Sequence, residues 1–448
     1  MCTRPNMVSV RGHVIPCSCG KCAECVTKRQ SAFGIRGTEE MRNWKTTVFV
    51  TLTLDDDHIR YKKLGDLLDD CSASKRLSFD KSFYKRNGRF PLDSEYPAEV
   101  FDTDSNIEKC AELLDKRPQK DFSRYQQGYD FMHSERLNRD TLVAVPDKAE
   151  FSLFMKRLRQ NIVNSLFPRH MDEETHKWVR DKVDLKKCAI KYIYGCEYGP
   201  NTLRPHYHLV FYTNLTYCRF VDILRLTWQK GFDKCYQLHC DGEDTNAAIS
   251  YVAKYLFKPE WFENPYVSTG IAPRPHRGFS HGIGLSYVDR VVKKNLAHID
   301  QVFSGKIKGD YYGYNRDYLQ AIQDSFRVVS GGYFYALPRY YKEKILPQTE
   351  KLTFSIDYKT RTRNVRKVKR TDSAHPFCIA LTANLLDRID EQMDRDFELY
   401  REAHKEQTLA DAACSYQSEV ANTLCERDKV AAKRLRDAYW KKARRFSM

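Results

Sequence analysis

The sequence contains no run of 18 apolar residues, so no membrane-spanning helix is expected from it. Its opening, MCTRPNMVSVRG, lacks the apolar core of a secretory leader, and no signal peptide is expected. There is no Walker motif, and His281-Gly282-Ile283-Gly284 is too poor in glycine for a phosphate loop, so no ATPase is expected. No internal repeat is present. Residues 359–370, KTRTRNVRKVKR, hold no acidic side chain, and 377–448 hold neither Gly nor Pro. An even cysteine count is also lacking: there are 15. Without an export signal these are expected to be reduced thiols in a reducing cytoplasm, not a disulfide framework.

What is abundant is positive charge. Lys and Arg total 75 against 59 Asp and Glu, a net charge of +16 over 448 residues. That surplus points to a polyanionic partner, nucleic acid before an anionic membrane. The membrane reading is weaker, because the basic segments lack a flanking apolar face rich in Trp or Leu. Hydrophobic residues at 42% and aromatics at 13% suffice for a sizeable core. The length suggests two or three domains.

Residues 45–54, KTTVFVTLTL, read as a buried strand ending at the acidic turn Asp55-Asp56-Asp57. Residues 59–146 read as a polar, irregular insertion. Asp147 and Glu150 open a helix in which Phe151, Phe154, Leu158, Ile162 and Leu166 recur at helical spacing. Residues 188–198 and 205–213 read as two strands joined by a turn at Gly199-Pro200-Asn201. A helix at 216–229, a strand at 233–240 and a helix at 244–258 follow. This order predicts an α+β fold with helices on an antiparallel sheet. Near the C-terminus Leu381, Leu385, Ile389, Met393 and Phe397 fall every four residues, which predicts a long amphipathic helix or helical hairpin. The run 359–370 and the terminus from Lys433 through Trp440 to Arg445 suit phosphate contact and stacking, or a solvated helix face.

The sharpest chemical feature is His206-Tyr207-His208 inside a strand. Alternation puts both imidazoles on one face and Tyr207 on the other. Two such imidazoles can chelate one divalent cation, or they can be ordinary hydrogen-bonded strand histidines. Glu197 ends the preceding strand, and in a hairpin it lies within about 5–8 Å of both. A carboxylate and two imidazoles suit Mg²⁺ or Mn²⁺, with positions left open for a substrate oxygen. A second group is Tyr251-Val-Ala-Lys254-Tyr255-Leu-Phe-Lys258. At about 100° per residue these two phenols and two ammonium groups share one helix face. Ile249, Val252, Ala253 and Leu256 fall on the opposite, packing arc. Lysine beside a phenol favours phenolate and neutralises a phosphodiester oxygen or leaving alkoxide. Snorkelling aromatics on an ordinary helix are the alternative.

His206-Tyr207-His208 with Tyr251-x-x-Lys254 and Tyr255 resembles the HUH endonucleases that initiate rolling-circle replication. Cys-Gly-Lys-Cys-x-x-Cys, FVTLTLDDDH (49–58), FMKRLRQN (154–161), CEYGP…RPHYH and HGIG (281–284) are similar to the gokushovirus-like branch of the microvirus replication initiation proteins. The resemblance covers most of residues 16–290. It implies an antiparallel sheet of HUH (ferredoxin or RRM-like) type with five strands and flanking helices. It further implies metal ligation by His206, His208 and Glu197, nucleophilic Tyr251 and Tyr255, and an assisting Lys254. Thr51 and Thr53 would support the sheet or the bound DNA, and Lys258 and Arg204 are the candidate DNA contacts. The implied activity is nicking of single-stranded origin DNA through a phosphotyrosine, then rejoining to release circular single-stranded DNA. A host helicase, the replication machinery and the cytoplasm of a bacterial host complete the picture. An HUH relaxase or transposase, or a non-catalytic basic DNA-binding or packaging protein, is the alternative.

Cys17, Cys19, Cys22 and Cys25 read either as a structural Zn²⁺ site or as reduced thiols in a turn. Cys2 or His13 is a possible substitute ligand. The domain reading is a Cys-rich segment 1–40, a nicking domain 41–300 with its insertion at about 59–146, an accessory basic region 301–370 and a helical tail 371–448.

Overall fold

The computed structural model describes residues 6–10, 13–20, 22–97, 104–116, 133–199, 202–239, 264–294, 316–330, 333–357 and 362–419, with 249, 252, 297, 314, 360, 422 and 426. A hairpin of β1 (Asn6–Val10) and β2 (His13–Cys17) leads to α1 (Ala23–Met41) and β3 (Thr46–Thr53). Next come β4 (Tyr61–Lys63), α2 (Leu64–Asn87), α3 (Asp104–Asp115), β5 (Leu142–Ala144) and α4 (Lys148–Leu166). A short hairpin of β6 (Arg169–Met171) and β7 (Trp178–Arg180) precedes α5 (Leu185–Cys188), β8 (Ile190–Tyr198), β9 (Pro205–Thr213), α6 (Tyr217–Thr227) and β10 (Asp233–Leu238). Then follow α7 (Pro265–Ser268), β11 (Arg277–Phe279), α8 (Arg316–Ser325), β12 (Arg327–Ser330), β13 (Tyr333–Ala336) and α9 (Arg339–Ile345). Strands β14 (Gln348–Asp357) and β15 (Thr362–Thr371) pair before α10 (Pro376–Ala403). Among the described residues no helix is long and apolar enough to cross a membrane.

The chain parts into two compact units. One holds Glu40–Ile283 with Phe354–Arg366, and the other holds Met1–Glu39, Gly284–Thr353 and Lys367–Met448. The first is built on five antiparallel strands in the order β10-β3-β9-β8-β11. β3 is rich in Thr and Val, the types that suit a pleated surface, and its Val48, Val50 and Leu52 are fully buried. They meet Phe151, Phe154, Met155, Leu158 and Ile162 of α4 and Phe220, Val221, Ile223 and Leu224 of α6 in one core. Asp147 caps α4, its carboxylate accepting from the Ala149 and Glu150 amides. A cap contributes about 1 kcal/mol. Each buried α4 side chain contributes about 2 kcal/mol, so packing, not capping, holds α4 on the sheet.

The segment 59–146 is not the irregular insertion expected from its polarity. It carries α2, α3 and the β4–β5 pair, and its apolar residues form a second core with Tyr198, Leu203 and Tyr266. The periodicity is weak for a physical reason. On α2 the buried stripe of Leu64, Leu67, Leu68 and Cys71 occupies only the first two turns of a 24-residue helix. On α3 only Ile107, Cys110 and Leu114 face that core.

The second unit has its own core of Ile35, Tyr287, Val288, Leu319, Ile322, Phe326, Leu337, Tyr341, Ala380 and Leu381. Gly284 of the HGIG motif, with φ +73, is a close-approach glycine: a Cβ there would lie 2.5 Å from the Tyr341 hydroxyl and 2.6 Å from the Arg36 carbonyl. The C-terminal region is a helical hairpin, in which α10 is followed by a helix at 409–419 and Phe397 and Tyr400 pack on Tyr416. The four-residue stripe does not stay buried. Leu381 is 9% exposed but Leu385 is 47% exposed, while Leu386 is 2% exposed. A repeat of four drifts about 40° per step around a 3.6-residue helix, so the buried face moves to other positions. The basic run becomes β15, most of whose residues are exposed. The terminus from Lys433 onward lies outside the described residues.

Gly231 links α6 to β10 with φ +137, and a Cβ there would lie 2.3 Å from the Thr53 carbonyl oxygen. Gly231→Ala is therefore expected to destabilise the sheet unit by roughly 2 kcal/mol or more. Urea unfolding checks this; an unchanged midpoint would contradict the close approach.

Candidate metal centre

Strand register builds the centre. On β9, His206 sits opposite Glu197 of β8 and Thr53 of β3, and His208 sits opposite Gly195 and Thr51. Tyr207, one residue out of phase, is 2% exposed in the core on the other face. The period of two thus separates chemistry from packing along a single strand. Gly195 brings no side chain beside His208.

Glu197 Oε1 lies 2.8 Å from His206 Nε2 and 3.0 Å from His208 Nε2. The three donor atoms lie within 4.8 Å of one another, and no other group of carboxylate and imidazole donors this close occurs among the described residues. Glu197 is 4% exposed and His208 6%. The neighbours orient the rings. His206 Nδ1 lies 3.4 Å from the Arg204 carbonyl, which can only accept, so Nδ1 carries the proton and a neutral ring presents the Nε2 lone pair. His208 Nδ1 lies 3.2 Å from the Thr51 hydroxyl, and Phe49 stacks on the same ring at 6.2 Å.

A buried carboxylate flanked by two imidazoles needs positive charge between the three groups, supplied by added protons or by a cation. The donor spacing suits a cation. Two ligands at about 2.1 Å and right angles around Mg²⁺ or Mn²⁺ are about 3.0 Å apart. Glu197, His206 and His208 can therefore supply three ligands and leave the remaining positions to other oxygens.

Other candidates distribute as follows. Tyr251, Lys254, Tyr255 and Lys258 lie outside the described residues. At Ile249 and Val252, the described positions of that stretch, the chain is helical and the side chains are 1% and 0% exposed. Arg204 pairs with Asp56 at 2.5 Å. Asp55 caps a single turn, Asp56–His58, which makes the aspartate run a strand-ending turn. Thr53 donates to the Phe232 carbonyl. Cys19, Cys22 and Cys25 converge, and Cys17 is not part of that group. Cys2 lies outside the described residues, as does the side chain of His13.

Two neighbours of the centre escape a reading of the sequence. Phe49 is one apolar residue among several in β3, and His276 lies far along the chain from the strand it supports. The His276 carbonyl accepts from the Cys196 amide, and its ring packs on Phe151, Tyr194 and Tyr207. No local motif marks either residue.

Comparison with known proteins adds an independent finding. Residues 139–260 match a family model of viral type, that of the replication-associated protein ORF2. Within the curated proteins the chain is 31% identical over 119 residues to the Replication-associated protein ORF2 of Spiroplasma virus 4. That alignment covers 22% of this chain and 32% of the relative, so the chain matches about a third of the relative's length. Both matches support a viral replication protein. No solved structure matches.

Burial holds the His276 ring neutral, with its pKa pushed down to about 4 from the usual 6.5; nearby Lys148 adds to the effect. The unfolded chain therefore takes up this proton first as pH falls. Stability is complete above about pH 6.5 and is lost as pH drops toward 4, by up to roughly 3 kcal/mol. Denaturant midpoints between pH 7 and 5 should fall more steeply for the wild type than for His276→Gln. Parallel curves would contradict the buried neutral ring.

Proposed function

We propose that this protein is an HUH-type initiator of viral rolling-circle replication, acting on single-stranded origin DNA in the cytoplasm of a bacterial host. The observation that carries the reading is the convergence of Glu197, His206 and His208 on one face of an antiparallel sheet. The replication-associated family match over 139–260 and the net charge of +16 support it. The buried positions Ile249 and Val252 agree with a helix whose opposite arc carries Tyr251, Lys254, Tyr255 and Lys258.

In this mechanism Glu197, His206 and His208 hold Mg²⁺ or Mn²⁺. The ion, when bound, supplies Lewis-acid polarisation of a phosphodiester oxygen. The Tyr251 hydroxyl attacks phosphorus. An O–P bond forms to the phenol, the bond from phosphorus to the 3′ oxygen breaks, and the phenolic proton ends on that 3′ oxygen. Lys254 stabilises the phenolate and the leaving alkoxide. The 5′ end remains on tyrosine as a phosphodiester, which conserves the energy of the broken bond. A second transfer through Tyr255, followed by attack of the free 3′ hydroxyl, closes a circle. Arg204 and Lys258 contact the DNA backbone; for Arg204 this means exchanging Asp56 for a phosphate. Strand separation falls to a host helicase.

Incubation with single-stranded DNA covering the intergenic regions of the encoding genome, with MnCl₂, is expected to give a covalent protein–DNA adduct. The adduct should vanish in the Tyr251→Phe/Tyr255→Phe double variant. An undiminished adduct there would refute the nucleophiles, and DNA retention in EDTA with no cleavage under any metal would favour a non-catalytic binder.

Thr51→Val is expected to weaken Mn²⁺ binding about tenfold by releasing the His208 ring, with Glu197→Ala weakening it more. Calorimetric titration checks both. Equal affinity in all three proteins would place the ion elsewhere.

A further inference from the structure

We propose that Cys19, Cys22 and Cys25 form a separate metal site, a three-thiolate seat for one zinc ion at the start of α1. This site is independent of the nicking chemistry. The three follow a Cys-x₂-Cys-x₂-Cys pattern. Cys22 directly precedes the first residue of α1, and Cys25 lies one turn further on, so both sulfurs lie on one helix face. Gly20, with φ +74, turns the chain back so that Cys19 meets them. Arg29 donates to the Gly20 carbonyl and holds this turn.

The sulfur geometry separates an ion from a disulfide and from ordinary packing. Cys19 Sγ and Cys25 Sγ are 3.9 Å apart, and all three sulfurs lie within 4.8 Å of one another. Tetrahedral zinc with bonds of about 2.3 Å spaces its thiolates about 3.8 Å apart. A disulfide needs about 2.05 Å. The Cys22 amide also donates to Cys19 Sγ at 3.3 Å, an interaction that favours the charged thiolate. The helix N-terminus favours it further. Cys22 and Cys25 are 8% and 3% exposed, whereas Cys19 is half-buried. The fourth tetrahedral position thus falls on the open side, available to water or a further donor. Among the described residues no other cysteines form such a group. The site sits where a two-stranded hairpin, β1–β2, joins α1. An isolated hairpin is marginally stable, and an ion at its exit would contribute folding energy.

The test uses the full-length chain carrying His206→Ala and His208→Ala, so that the other centre contributes no metal. Purified with zinc and dialysed, it should retain one zinc per chain by plasma mass spectrometry. Cobalt substitution should give thiolate charge-transfer bands. Adding Cys22→Ser and Cys25→Ser should abolish both, while Cys17→Ser should leave both intact. A strong chelator should lower the melting temperature by several degrees only in the cysteine-intact protein. Absence of zinc, retention of zinc without Cys22 and Cys25, its loss in Cys17→Ser, or iron with acid-labile sulfide would each overturn the assignment. Should the cysteine variants fail to fold, the cobalt spectrum of the parent still decides whether thiolates bind the ion.

Discussion

The site depends on one electrostatic constraint: a carboxylate cannot be buried alone. Glu197 keeps 4% of its exposure, and one of its oxygens faces both imidazoles at hydrogen-bond distance. Left uncompensated, a charge in such a place costs several kcal/mol. The surrounding fold meets that constraint by placing three strands in register. β9 carries the histidines, β8 the carboxylate, and β3 the hydroxyl that faces His208. Moving any of these strands by one residue would send its donor into the hydrocarbon core.

The same register explains why the site can be rigid. Each strand that presents a donor upward presents a packed side chain downward. Tyr207 and Cys196 lie in the α4–α6 core directly out of phase with His206, His208 and Glu197. The rings of Phe151, Tyr194, Tyr207 and His276 stack beneath that end of the sheet. Burial pushes the Tyr194 hydroxyl up to about 12, and desolvation raises Tyr207 further, so neither phenol ionises near neutrality. These tyrosines serve packing, in contrast to the role assigned to Tyr251 and Tyr255.

Much of the sheet was legible because its strands have strong, uninterrupted patterns. KTTVFVTLTL and PHYHLVFYT were recognisable as strands, and the capped start of α4 at Asp147 was equally clear. The pairing of Glu197 with both histidines could be anticipated from the short turn between β8 and β9. Less could be read where burial is partial. The helices α2 and α3 bury only short stripes, so their polar surfaces masked them. The stripe from Leu381 misled because helical drift carries Leu385 into solvent. Support from His276 was invisible because it depends on β11 returning to the sheet edge beside β8. Of the four N-terminal cysteines, spacing alone did not reveal that Cys17 stays apart from the other three.

The central claim is that Glu197, His206 and His208 form one cation site. Electron spin-echo envelope spectroscopy of the Mn²⁺-loaded protein tests it most directly. Two imidazole nitrogen couplings are predicted, with one lost in His206→Ala and one in His208→Ala. A spectrum showing only water around the ion, or couplings untouched by both substitutions, would contradict the account.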